Sequence, residues 1–513
     1  MARAIYHVEL ELAYGVWTDV AADVHAQTPI TVERGLPVDG AVADVGWMTL
    51  ALHNPDGRYD PDGPNVIGGF EVGVGVRLRA TVGAATATLF VGQVVHLTPY
   101  TPEGAPLAYL VCWDDVAWLR ERRLEAFPFV MNSKARPIVN WLVDASFRPP
   151  GVVGYWQLGH AVDGRLGQTT ALPDTYTGKA FDEGQSTFPW VGDSWQDERT
   201  TAHDAMAIVC ASEGGRFYVN AEGTPVFEDR HARPKRTAVD AAFDADLVAV
   251  TRSRSRALVA TRVEITVWPR TVSDDVEVLW SLGHDAKLMP NEPREICGHY
   301  TDPDQMTARV GAWEMIAPVA GVDYVAYTKL DGEDQDVTGH LVVKAAFGGN
   351  SAILTLTSRY PAPVYVHVLQ VRGKALRAYA PVTSVVEDAA SRAAYGLLVL
   401  RQAMPLQDDV EVAGDMARAL LTNRKDPITW FEVTVEATVS SAMLAQAVVR
   451  DVGDRVAAPD GAEGFIEWVR HEIARGGASH RVMWRTAPAD LEAYWILGQS
   501  GHSELGAATR LGY

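Results

Sequence analysis

Apolar and polar residues alternate with a period of two through one stretch of this chain after another, and no other feature limits the possible folds as strongly. In residues 431–437 (FEVTVEA), Phe431, Val433, Val435 and Ala437 share one face while Glu432, Thr434 and Glu436 share the other. Residues 263–268 alternate in the same way, as do residues 45–52 (VGWMTLAL). Successive side chains of a strand point to opposite faces, so these stretches are predicted to be half-buried antiparallel strands. The 44 glycines and 28 prolines supply turns between many short strands.

Helical spacing is rarer. Residues 201–212 place Ala202, Ala205, Met206 and Val209 on one stripe, with Thr200 or Thr201 as the cap and Gly214 suited to a left-handed end. Residues 216–220 and 224–229 then read as a hairpin around Glu222-Gly223. A second helix is predicted over 409–423, with Val410, Ala413, Ala417, Leu420 and Leu421 apolar, and a third over 138–145. Residues 149–194 are rich in Gly, Thr, Asp and Pro and read as an irregular excursion. Neither a fixed-period repeat nor a low-complexity tract is seen, and the sum is a mainly β (α+β) protein of several domains. At roughly 100–200 residues each, 513 residues make about three or four of them.

Charge narrows the partners. Lys+Arg 45 against Asp+Glu 65 gives a net charge of −20. Duplex binding depends on neutralising phosphates with Lys and Arg, so specific nucleic-acid binding is disfavoured. Cys112, Cys210 and Cys297 are odd in number and form no CxxC pair, which excludes a thiolate zinc site and points to free, buried thiols. The N-terminus lacks the order of a secretion signal, and no apolar run approaches the ~18 residues of a membrane span. The expectation is a soluble protein made in the cytoplasm.

Catalytic signatures each fail at a definite position. His471-Glu472 opens a zinc-protease motif, but Arg475 stands where the second histidine belongs. Gly498-Gln499-Ser500 opens a nucleophile elbow, but His502 replaces the closing glycine. Gly73 and Gly75 open a dinucleotide fingerprint that Leu78 breaks. The acidic turn 54–62 (NPDGRYDPD) offers oxygen atoms at calcium-loop density, but lacks the full spacing and closing Glu of an EF-hand. It reads as a pair of Asx- and Pro-stabilised turns. Residues 331–336 (DGEDQD) read as a solvated hairpin tip. Trp47, Trp268 and Trp484 sit in alternating strands, where such rings fill cores or interfaces more often than they bind sugars. No catalytic, metal or cofactor residue is assigned, and no cofactor is expected.

A series of segments carries a resemblance. Glu33-Arg34-Gly35 ends a strand and is followed by an apolar strand and LHNPDGRYDPDGPN. Then come Gly92-Gln93-Val94 and Val111-Cys112-Trp113-Asp114-Asp115. A helix leads into Glu213-Gly214-Gly215-Arg216-Phe217-Tyr218-Val219. Residues 262–270 (RVEITVWPR), 368–376 (VLQVRGKAL) and the C-terminal Trp495-Ile496-Leu497-Gly498 and Thr509-Arg510-Leu511 complete the series. In order and spacing this resembles the siphophage minor tail protein, or tail-tip (baseplate) hub, family.

The resemblance implies a virion protein of the tail tip with two tail-tube-like β-barrels per subunit. Three subunits would form a pseudo-sixfold ring that joins the tail tube to the tip and surrounds or closes the DNA channel used in ejection. Implied partners are two further copies, the tail tube or distal tail protein ring, the tape measure protein, and tip fibre or receptor-binding proteins. The implied division is a first barrel at 1–118, a mixed α/β lateral domain at 119–250, and a second barrel from 251–270 and 364–488. A β-sandwich at 271–363 is inserted in the second barrel, and a docking segment at 489–513 follows. Some relatives carry a C-terminal lytic extension, whereas this sequence stops at Tyr513, so a structural role without enzymatic activity is expected. The rival readings are a cell-wall or polysaccharide hydrolase with spatially paired carboxylates and a carbohydrate-binding adhesin.

Overall fold

The computed structural model describes residues 3–100, 106–124, 129–146, 168–169, 178–193, 195, 200–243, 248–305, 307–330, 334–489, 493–494 and 509–510. The alternating stretches are strands. Thr429–Glu436 buries Phe431, Val433 and Val435, and Arg262–Val267 buries Val263, Ile265 and Val267. Asp44–His53 buries Met48, Leu50 and Leu52.

Thirteen strands form one sheet, eleven along one path and two, Ala241–Ala242 and Arg455–Ala457, branching from Glu463–Ala474. From one edge its path runs Val248–Arg254, Thr429–Glu436, Ser479–Pro488, Glu463–Ala474, Ile30–Gly35, Asp44–His53, Leu107–Trp113, Ala85–Tyr100, Gly75–Val82, Ile5–Ala13, Val16–Asp19. N-terminal and C-terminal strands therefore share a single ladder, with the seam at Ile30–Gly35 against Glu463–Ala474. At that seam a Cβ on Gly35 would lie 2.3 Å from the Glu467 carbonyl oxygen, and its φ of +133° favours glycine, so the residue is fixed by the crossing.

The sheet is strongly curled. Ser479–Pro488 and Ile5–Ala13 are seven steps apart along the path, about 34 Å in a flat sheet at roughly 4.8 Å per strand. Yet the Tyr6 hydroxyl lies 2.9 Å from His480 Nδ1. One core fills the curl, with Val8, Leu10, Val76 and Leu78 from one half and Val433, Val469, Val482 and Trp484 from the other. The helix Ser441–Val449, which alternation does not foretell, adds Met443, Leu444, Ala447 and Val448 to it. The two separate barrels implied by the resemblance are thus replaced, among the described residues, by one curved sheet whose ladder does not close.

Three further cores surround it. The helices Ala135–Ser146 and Ala202–Glu213 pack with Phe188, Trp195, Phe217 and Phe227. Ala202–Glu213 starts and stops where its sequence says it should. Thr201 and Asp204 cap each other's backbone N–H groups, and Gly214 ends the helix at φ 72°. A second unit packs Val410–Arg424, capped by Asp409, on the sheet of Val382–Glu387, Arg262–Val267 and Val399–Met404. In the third, Val364–Ala378 pairs with five short strands and shares a core with the sheet of Pro293–His299, Ser351–Ser358 and Leu341–Phe347. The strand at 364–378, which the resemblance put in a barrel, therefore pairs within the sandwich. Cys112 and Cys210 are buried, and Cys297 is exposed on an outer strand, contrary to the expectation of three buried thiols.

Candidate assembly junction

The unit that holds the helices Ala135–Ser146 and Ala202–Glu213, lateral to the curved sheet, meets it through a buried ionic cluster carried by its strands Arg216–Val219 and Pro225–Glu228. Arg233 lies just beyond the strand Pro225–Glu228, and only 4% of it is exposed. Its Nε donates to Glu228 Oε2 at 2.8 Å and its Nη1 donates to Glu467 Oε1 on the large sheet. Tyr218 Oη donates to Glu228 Oε1 at 3.1 Å, and Arg216 Nε stands 3.7 Å from Glu467 Oε1. Burial alone would push the Glu228 carboxyl up, but Arg233 and Arg216 hold it below the usual carboxylate range. Burial likewise works against the Arg233 charge, and Glu228 and Glu467 overcome it. The Arg216 guanidinium is pushed the other way, by Arg233 first and by burial second.

A second tie runs from Arg34 on the seam strand to Asp451, whose other oxygen accepts the Ala221 N–H at 2.7 Å. Inside the lateral unit, buried Glu213 accepts the Gln185 and Ser186 N–H groups at 2.7 and 2.9 Å and Arg230 Nη1 at 3.0 Å. Burial raises its pKa. Gln402 Nε2 donates to the Ala211 carbonyl at 2.7 Å, joining this unit to the sheet on which Val410–Arg424 packs.

An uncharged cluster lies inside the curl. His471 Nδ1 and His480 Nε2 are 3.0 Å apart, both rings are fully buried, and Tyr6 closes the row. Burial drives both imidazoles down, His480 to about 3, with His480 and Arg34 adding to the effect on His471. Both rings are therefore neutral at pH 7. Glu436 accepts the His480 backbone N–H at 3.2 Å.

The motifs singled out from sequence separate. His471 points into the core of a strand, with the intermediate Glu472 beside it on the opposite face, so the pair is no helical zinc motif. Gly75 begins a strand that buries Leu78, with no helix following it. Residues 498, 500 and 502 lie outside the described residues. In the acidic turn Asn54 Oδ1 accepts the Tyr59 N–H at 2.9 Å and Asp60 Oδ1 accepts the Asp62 N–H at 3.2 Å. Those oxygens serve the backbone, and the turn plugs buried Tyr59 against Phe70. Asp334 and Asp336 accept from Thr328 and the Thr338 N–H in a hairpin; residues 331–333 lie outside the described residues. Among the described residues, three or more His, Cys, Asp or Glu side chains nowhere gather as metal ligands. Trp484 is a core residue stacked on Phe243.

Fold and junctions together define a mainly β, multidomain protein whose units are tied by buried polar clusters. No family model and no curated protein matches the chain. Among solved structures it is similar to a 43 kDa tail protein of prophage MuSo2 from Shewanella oneidensis. There the identity is 12%, with 94% of this chain and 99% of that one covered and a TM-score of 0.47. It is similar also to a tail protein from Neisseria meningitidis MC58, at 9% identity, 95% and 98% coverage and a TM-score of 0.48. A component of the E. coli type VI secretion system, itself described as similar to T4 bacteriophage tail proteins, matches at 9% identity. It is covered over 73% of its length and 91% of this chain, with a TM-score of 0.35. The structural neighbours are thus phage tail proteins and a secretion-system relative of them.

Proposed function

We propose that the chain is a structural hub of a phage tail tip and has no catalytic role. Three copies form a ring that joins the tail tube to the tip apparatus and surrounds the DNA channel. The observation that carries this reading is the open, curled sheet. Its outer strands Val248–Arg254 and Val16–Asp19 have no strand beyond them among the described residues. An unpaired edge is a template for another chain, and a curved wall with two such edges suits a closed ring of identical subunits. The segment-by-segment resemblance to tail-tip hub proteins supports the same reading, and its partners are the tail tube or distal ring, tape measure and tip fibres. The net charge of −20 suits a channel wall, because like charge does not trap phosphates. The four cores are taken as the folding units, the one around Leu279, Leu354 and Val366 being the inserted sandwich.

The test is the mass of the purified chain by light scattering, with negative-stain images of the same sample. Three chains per particle and rings with a central opening are expected. A monomer that degrades peptidoglycan would overturn the reading in favour of a hydrolase, and a monomer that binds a glycan array would favour an adhesin.

A further inference from the structure

A cavity of about 440 Å³ opens where three of the four cores meet. Leu400, Leu420, Ile428 and Trp430 supply much of its wall, and four arginines reach it: Arg216, Arg401, Arg424 and Arg485. The acidic residues in the wall are Asp39 and Glu467, so the lining carries two more positive than negative charges in a chain of net −20.

Three of the four guanidiniums are already held. Arg424 pairs with Asp39, Arg401 Nε with Glu264 at 2.9 Å, and Arg485 Nη2 donates to the Leu36 carbonyl. Arg216 differs. Glu467 at 3.7 Å is beyond hydrogen-bond distance, its carboxylate is taken by Arg233, and among the described residues Arg216 has no closer partner. Arg233 first and burial second push its pKa below the ordinary arginine range, against the pull of Glu467 and Glu228. A guanidinium left with unspent donors at an apolar cavity is matched by a planar carboxylate, which it can grip with two N–H groups.

We propose that this cavity seats a short peptide segment of a partner protein, in which an acidic side chain pairs with Arg216 and an apolar neighbour fills the space between Leu400 and Trp430. The apolar wall selects against a phosphodiester backbone, which has no apolar side chain to place there. The volume lies within the ~300–1,000 Å³ of ordinary ligand pockets and suits a few side chains. The inference uses only the cavity and does not rest on the hub reading.

The test pans a random twelve-residue peptide library against the full chain and measures selected peptides by fluorescence anisotropy. Enrichment of an Asp or Glu beside a Leu, Ile or Phe is expected. Arg216→Gln should weaken the binding of those peptides at least tenfold, as should Asp→Asn within the peptide. The thermal midpoint of Arg216→Gln should stay nearly level, because relief of the repulsion from Arg233 offsets the lost attraction to Glu467 and Glu228. Three outcomes overturn the proposal: no acidic enrichment, equal binding by Arg216→Gln, or a lowered midpoint that makes Arg216 merely structural. Competition by inorganic phosphate at the same concentration as the peptide would overturn the peptide assignment in favour of a phosphate site.

Discussion

Two polar clusters are buried in the same curved sheet, one charged and one neutral, and both are seated by the strand Glu463–Ala474. Glu467 turns outward to Arg233 and the lateral unit, whereas His471 turns inward to His480 and Tyr6. The outer cluster gathers Arg233 and Arg216 against Glu228 and Glu467, so charge meets charge where two cores are joined. Among the described residues the inner cluster has no counter-ion in hydrogen-bond contact with either ring, and burial keeps both rings uncharged. The difference teaches where each kind of contact is tolerated. Opposite charges can tie separate units together, while the two histidines inside the curved sheet, with no charged partner on either ring among the described residues, are kept in their neutral form.

Breaking the outer cluster should have the largest effect. Arg233→Ala leaves Glu228 and Glu467, each 9% exposed, without their shared cation. Removing one partner of a buried pair costs about 3–5 kcal/mol, and Arg216 is placed to recover part of it at Glu467. Chemical denaturation should show this loss, with the lateral unit separating before the curved sheet. A loss below about 1 kcal/mol would make the cluster peripheral.

Alternation revealed much of this fold and little of its junctions. The inward faces of 431–437 and 45–52 were readable because each strand keeps its parity from end to end. The capped helix at Ala202–Glu213 was readable because Thr201, Asp204 and Gly214 each carry a local signal. Glu467 was not, because the ladder shifts register between Ile466 and Trp468. The bulge sends Ile466 inward to the core with Val469 and Ile473, and leaves Glu467 facing Arg233. Arg233 and Glu228 are nearly 240 residues away in sequence from that bulge, and no local pattern links them. His471 did carry a signal, a histidine on an apolar face between Val469 and Ile473, but as the start of a broken zinc motif it was not read as a core residue, which the structure makes it. The helix Ser441–Val449 was missed because its apolar residues come almost without interruption, which masks any stripe.

The neutral cluster should reveal itself through pH. Both histidines have folded-state pKa values below the unfolded value near 6.5. Above that value neither state binds the proton and the full stability is present. As pH falls, the unfolded chain takes up two protons that the folded chain refuses, and stability is lost until about pH 3, where His480 titrates in the fold. Between pH 7 and 5.5 the loss should be roughly 2–3 kcal/mol for the pair. Asp114, Glu213 and Asp454, raised by burial, act with the opposite sign as pH falls. The sharp measurement is therefore the difference between the native chain and a His471→Phe/His480→Phe double variant. The native chain should lose more over that range, and parallel curves would show that the rings take up protons in the fold as readily as in the unfolded chain.

Tyr6→Phe gives the smallest effect and isolates the closing contact of the row. The donor direction that leaves only a lone pair without a partner runs from His471 Nδ1–H to His480 Nε2 and from His480 Nδ1–H to Tyr6 Oη. It leaves His471 Nε2 as an acceptor, and an unmet acceptor is less costly than an unmet N–H. Removing the hydroxyl would strand the His480 Nδ1–H in the core, at a cost of about 1–3 kcal/mol. Because Tyr6 and His480 stand seven strands apart on the path, this contact also holds the curl together, and its loss should loosen the mouth before the seam. Hydrogen exchange separates the two effects. Faster exchange confined to Ile5–Ala13 and Ser479–Pro488 is expected, with the seam at Ile30–Gly35 unchanged. Uniform acceleration across the sheet would mean that Tyr6 supports the whole core rather than the closure of the curl.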